Sequence, residues 1–323
     1  MVAYFGGTKE RNPDVCIWVS RKPKGTDQWT APKMAADGVF TKADNKHGDL
    51  PEGRYACWNP VLYEMPDGEL WLFFKIGASV GEWTGWLTKS KDGGRTWSRR
   101  EALPDGFLGP VKNKPELIGG RLLCGSSTEN NGWRFHVEIY DLKTKQWKYV
   151  PVESTVAIKT DDNQPHPIDC IQPSILKLNA TPHSDQRSEK DGRLQVLMRT
   201  HNARLATSFS SDNGDTWTPV TLSDVENNQS GTDAVTLSDG THVLIYNNFA
   251  TLPLTKKGPR TPLSIATSED GTHWRHALTL EDSPIDQYSY PAIIQGRDGK
   301  LHCVYTWRRQ RIKYMEVDIN NMK

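Results

Sequence analysis

Two arginines occupy places where a cation needs a purpose. Arg199 closes the apolar run Val196-Leu197-Met198, and a guanidinium at the end of such a strand requires an anionic partner. Arg260, in Gly258-Pro259-Arg260-Thr261-Pro262, stands just ahead of another apolar run. A guanidinium grips a carboxylate through two parallel hydrogen bonds, so each suits an acidic ligand; the alternative for each is an ion pair between sheets. Tyr288 and Tyr290, in Tyr288-Ser289-Tyr290-Pro291, are phenols that, with an ordinary pKa of about 10, need a base or cations nearby to react at neutral pH. Asp14, with Glu10 as its rival, and Asp169 and Asp233 are candidate carboxylates, and Lys112 and Lys114 flank an apolar strand.

Positioning these side chains falls to a repeat. Ser90-Lys91-Asp92-Gly93-Gly94-Arg95-Thr96-Trp97 and Ser210-Ser211-Asp212-Asn213-Gly214-Asp215-Thr216-Trp217 share one pattern, and Ser268 to Trp274 is the same turn shortened by one residue. Worn copies end at Trp29 and Trp147. Asp accepts hydrogen bonds from turn amides, Gly supplies positive φ, and Trp packs back over the strands. Ahead of these turns comes a second unit, strand, Asp-Gly-like turn and strand, at Trp58 to Phe73, Lys114 to Leu123, Gln172 to Leu194, Asp233 to Gly240 and Tyr290 to Leu301. The tryptophan markers are spaced as four-stranded propeller blades are. An all-β, six-bladed β-propeller follows, with residues 1–323 as one domain. Val2 to Gly7 aligns with the second strand of later units, so the first blade is expected to lack its innermost strand and the chain reads as truncated at its amino end.

Composition narrows the function. Lys+Arg 40 against Asp+Glu 39 gives a net charge of +1, which exerts no general pull on nucleic acid. No apolar run is long enough to span a bilayer. The five cysteines, with no Cys-x-x-Cys pair, read as buried thiols, and neither a metal nor another cofactor is implied. A monomer is expected. No secretory signal stands at the visible amino terminus, so the compartment is left open. Asn179 and Asn228 head glycosylation sequons.

The Asp-turn repeats resemble those of the sialidase superfamily over nearly the whole chain. That resemblance implies an exo-acting glycoside hydrolase on a terminal acidic sugar. It places Tyr288 as nucleophile, Asp14 as acid/base, and Arg199 and Arg260 as two members of a carboxylate-binding triad. The first triad arginine of that family belongs to the opening inner strand, which this chain is expected to lack; the matching place in the next unit is Asn59, in Trp58-Asn59-Pro60, and Gln172 stands where the family has the glutamate that pairs with its tyrosine. Glutamine is no base, so Asp169 or Asp233 would supply the charge. Asn59, Lys114, Asp233 and Tyr290 are expected to line the substrate site. Two alternatives are a lyase or rhamnosidase-like enzyme on uronate-containing glycans, with a histidine, His201 or His136, or a tyrosine as base, and a carbohydrate-binding propeller without turnover.

Overall fold

Each Asp turn closes on itself through the side chains that the sequence repeats. Asp92 Oδ1 accepts from the amides of Arg95 (2.8 Å) and Thr96 (2.9 Å) and from Ser90 Oγ (2.8 Å), while Ser90 Oγ accepts from Gly94 N at 2.9 Å. Asp212 and Asp270 repeat the arrangement. These bonds hold the Asp92 carboxyl below the usual carboxylate range, the Thr96 hydroxyl first among them. The glycine is required: at Gly214 φ is 88°, and a Cβ there would stand 2.4 Å from Leu123.

The computed structural model describes residues 1–41, 51–158, 164–178, 192–249, 258–284 and 287–322. Six antiparallel sheets form the blades of one propeller. Blade one comprises β1 (Val2–Gly6), β2 (Cys16–Ser20) and β3 (Lys33–Ala36), followed by a ribbon of β4 (Val39–Phe40) and β5 (Gly53–Arg54). Blade two is β6 (Ala56–Glu64), β7 (Leu70–Gly77), β8 (Thr84–Ser90) and β9 (Glu101–Ala102). Blade three is β10 (Glu116–Ile118), β11 (Arg121–Thr128), β12 (Arg134–Asp141) and β13 (Trp147–Pro151), with a second ribbon of β14 (Val156–Ile158) and β15 (Pro165–Pro167). Blade four is β16 (Cys170–Lys177), β17 (Leu194–Thr200), β18 (Arg204–Ser210) and β19 (Thr221–Glu226). Blade five is β20 (Asp233–Thr236), β21 (His242–Tyr246), β22 (Leu263–Ser268) and β23 (Arg275–Glu281), and blade six is β24 (Tyr288–Gln295), β25 (Leu301–Trp307) and β26 (Arg311–Val317).

Blade one holds a second, third and fourth strand, as the repeat predicts. Its β1 packs on β6 as β11, a second strand, packs on β16. The worn turn ending at Trp29 joins β2 to β3, the place that the Asp turns take between third and fourth strands elsewhere.

Apolar side chains of neighbouring sheets form the core between blades. Ile17, Leu72 and Phe74 join blades one and two, Leu123, Val137 and Val196 join three and four, and Val243, Ile265 and Ile293 join five and six. All five cysteines are buried and free. Between blades six and one no such cluster occurs among the described residues. There Trp29 meets Tyr314 edge-on (5.1 Å), Lys22 reaches Glu316 (3.8 Å) and Arg309 pairs with Glu10 (3.0 Å).

Three inner strands break register at a proline. Asn59, Gln172 and Tyr290 hold φ of 42°, 60° and 52°, and each precedes a proline at the bulge of β6, β16 and β24. A bulge re-aims one side chain out of the strand's alternation.

Candidate functional site

In these antiparallel blades the inner strand begins beside the end of the second strand and the start of the third. Those ends surround one mouth of the ring. Arg199 arrives on the end of β17, Arg260 just ahead of β22, and Tyr290 on the bulge of β24. The Arg260 guanidinium lies 4.9 Å from the centre of the Tyr290 ring. Burial pushes the phenol's pKa up, but the opposing charges of Arg199 and Arg260 prevail and hold Tyr290 below the ordinary tyrosine value. Burial is also the main cause that lowers Arg260.

Both arginines are 5% exposed, and Arg199 Nε and Arg260 Nη1 are buried donors without a hydrogen-bond partner. Arg199 donates at 3.4 Å to Gln172 Oε1, a neutral acceptor. Its other face rests on Trp133, 4.5 Å from the ring centre, and His201 stacks on the same indole at 3.7 Å. Two nearly buried cations with unsatisfied donors, and no carboxylate paired with either among the described residues, favour an anion between them.

Beneath this pair, Gly231 allows close packing. A Cβ there would stand 3.0 Å from Gln172 Oε1, 3.1 Å from Tyr290 Cδ1 and 3.4 Å from Lys112 Cε. Gly231 belongs to the run Asn227-Asn228-Gln229-Ser230-Gly231-Thr232, buried throughout, in which Asn227, Asn228, Ser230 and Thr232 keep unpartnered polar atoms. The Asn228 sequon is therefore inaccessible, and Asn179 lies outside the described residues. Lys112 donates to the carbonyls of Thr232 (2.5 Å) and Pro291 (2.6 Å), and burial lowers it to about 7.

Other expected site residues have different surroundings. Tyr288 is 1% exposed within the core of blades five and six, with its hydroxyl bonded to Ser283. It is Tyr290, two residues on, that meets the arginines. Asp233 accepts Lys114 on both oxygens (3.0 Å each), Ser174 Oγ (3.0 Å) and the amides of Ala234 and Ile293 (2.9 Å each). With Lys114 also on the Ala234 carbonyl (2.8 Å), both are fully engaged in tying the inner strands together, which leaves neither a lone pair nor a proton for substrate.

Asp14 stands on the loop between β1 and β2, and its Oδ2 accepts from Thr8 N (2.9 Å) and Thr8 Oγ1 (2.5 Å). The Thr8 hydroxyl and amide hold its carboxyl below the usual range. Its neighbour Glu10 pairs with Arg309. Asn59 is half-buried on its bulge, with no side-chain hydrogen bond among the described residues. Asp169 takes Arg134 at 2.6 Å. His136 is buried against Glu138 (2.8 Å), which accepts the amides of Leu108 and Gly109.

Sequence reasoning missed the polar run 227–232. The signal for the run was present: six polar or small residues directly ahead of an inner strand. Among the described residues no three His, Cys, Asp or Glu side chains group as a metal site, and no helix is long and apolar enough to cross a membrane.

The breadth of one match decides the family. Residues 1–303 match the BNR repeat-like domain. The chain belongs to the BNR repeat-like family. No curated protein sequence matches it. Among solved structures, this family member is similar to the NanB sialidase of Streptococcus pneumoniae, with TM-score 0.69 and 13% identity over 99% of this chain and 66% of that one. It thus spans just under two thirds of NanB. The intramolecular trans-sialidase of Ruminococcus gnavus gives TM-score 0.66 and 13% identity, covering 96% of this chain and 89% of that one. A protein of unknown function from Dyadobacter fermentans gives 0.64 and 16%, with 93% and 82% covered. The sialidase-like propeller is common to these comparisons.

Proposed function

We propose that this BNR repeat-like protein cleaves a terminal acidic sugar from a glycan, with Tyr290 as nucleophile. The observation that carries this reading is the convergence of Arg199 and Arg260 on one phenol whose pKa they lower. Arg199 Nε and Arg260 Nη1, buried without acceptors, would take the sugar carboxylate. That the Ruminococcus gnavus trans-sialidase was captured with oseltamivir carboxylate is in keeping with an acid-binding mouth.

In the first step the Tyr290 phenolate oxygen bonds to the anomeric carbon while the bond to the leaving oxygen breaks and takes its electron pair. Asp14 gives that oxygen a proton. Water then attacks the tyrosyl-linked sugar, returns a proton to Asp14 and releases the phenolate. A seated sugar desolvates Asp14, which opposes the Thr8 bonds, raises its pKa and lets it hold the proton that the first step needs. The two guanidiniums do the work that a paired carboxylate would otherwise do for the phenol, which accounts for a neutral Gln172.

A second reading has its own support. Gln172 provides no base beside Tyr290, as expected of a propeller that binds acidic glycans without turning them over. Fluorogenic glycosides of sialic, glucuronic and galacturonic acids distinguish the two. Turnover by the wild type, lost in Tyr290→Phe with binding kept and retained in Tyr288→Phe, is the expected result. Turnover that survives Tyr290→Phe overturns the nucleophile assignment, and binding without any turnover establishes the second reading.

A further inference from the structure

A basic turn adjoins the arginine pair. Residues 308–310 join β25 to β26, and Arg308 and Arg309 both have φ of 55°. Consecutive left-handed residues make the tight turn that matches strand twist, but Asn and Gly ordinarily fill it because a Cβ is strained there. Two arginines held in that geometry point to a use at the surface.

The turn is stitched to the site. The amide of Arg308 donates to Gln287 O (2.8 Å), and Gln287 in turn bridges Arg260 backbone to backbone. Arg309 donates to Gln287 Oε1 (3.4 Å) and pairs with Glu10 (3.0 Å), and its charge is felt at Arg260. Arg308 and Arg311 lie 4.9 and 4.8 Å from the centre of the Trp307 ring. Both are exposed, and among the described residues no carboxylate pairs with either. Glu10 answers one of the three cations. Stacking on an indole orients a guanidinium and leaves its N–H edge open, so little side-chain entropy remains to be lost when an oxyanion binds.

We propose that Arg308 and Arg311 form a second oxyanion subsite, which takes a carboxylate or sulfate on the sugar next to the terminal acidic one, so that the preferred ligand is a polyanionic glycan. This rests on the acid-sugar reading of Arg199 and Arg260, and the test separates the two. Calorimetry would use three probes: galacturonic acid, its α-1,4-linked trimer and a sulfated neutral trisaccharide. The variants are the double substitution Arg308→Asn with Arg311→Ser, in which Asn suits the left-handed turn, and Arg199→Ala with Arg260→Ala.

Wild-type protein is expected to bind the trimer at least tenfold more tightly than the monosaccharide, with the steeper salt dependence. The Arg308/Arg311 variant should lose that tenfold advantage and keep its affinity for the monosaccharide within twofold. Loss confined to the sulfated probe supports the subsite and identifies sulfate as its anion. Retention in that variant of both the full trimer advantage and the affinity for the sulfated probe, or less than a twofold advantage in the wild type, overturns the subsite. Unchanged monosaccharide binding in the Arg199/Arg260 variant instead overturns the acid-sugar reading.

Discussion

Two charged clusters border the inner strands, and they differ in what is left over. At the Lys114–Asp233 knot one cation meets one anion, and the carboxylate accepts from residues of blades four, five and six besides Lys114 at the entry to blade three. At the Arg199–Arg260–Tyr290 cluster two cations meet a phenol and a glutamine, and two donors are unused. Both are nearly buried, so burial alone does not separate structure from site. The residual charge and the unfilled hydrogen-bonding capacity do.

The sharpest way to break this contrast is to remove Asp233. Asp233→Ala leaves Lys114 buried without its anion and the Ile293 amide without an acceptor. Losing one partner of a buried pair costs about 3–5 kcal/mol. At about 2–4 °C per kcal/mol for chains of this order, calorimetry should show the melting temperature fall by about 6–20 °C.

Arg260→Ala should do the opposite. It removes one of two like charges that nothing neutralises, so the melting temperature should hold or rise slightly while affinity for an acidic monosaccharide falls at least tenfold, an effect of about 1.4 kcal/mol or more. A fall of 10 °C would make this arginine structural and erase the distinction.

Tyr290 sharpens the comparison spectroscopically. Ultraviolet titration of wild type against Tyr290→Phe should reveal one phenolate that forms below the remaining tyrosines, and Arg199→Ala should move its midpoint upward.

Lys112, between the clusters, gives the smallest effect. Its folded pKa of about 7 lies below the unfolded value of about 10.4. The unfolded chain therefore binds more protons between those values, and this lysine makes stability rise as pH rises through that window, by about 1.4 kcal/mol per unit at most. Lys75, also lowered to about 7 by burial, acts in the same direction. Thermal melts from pH 7 to 9 should show a shallower rise in Lys112→Met.

The Asp turns were fully legible before folding because all their bonds are local: Ser90, Asp92, Gly94 and Thr96 satisfy one another within seven residues. Repetition of that unit determined the propeller and the place of the first blade's three strands. Arg199 was legible too, since a cation ending an apolar strand signals its burial in one dimension.

The choice between Tyr288 and Tyr290 was not. Strand alternation gives both the same face, and only the bulge at Tyr290-Pro291, which displaces one residue from the alternation, sends Tyr290 to the arginines while Tyr288 enters the core. The recurrence of Asn59-Pro60, Gln172-Pro173 and Tyr290-Pro291 in inner strands marked those bulges without stating where they aim. Asp233 and Lys114 likewise carried the residue types of a site. Whether such a pair is spent on the fold or left open to a ligand depends on which partners five other blades bring within 3 Å, and the closed ring alone decides that.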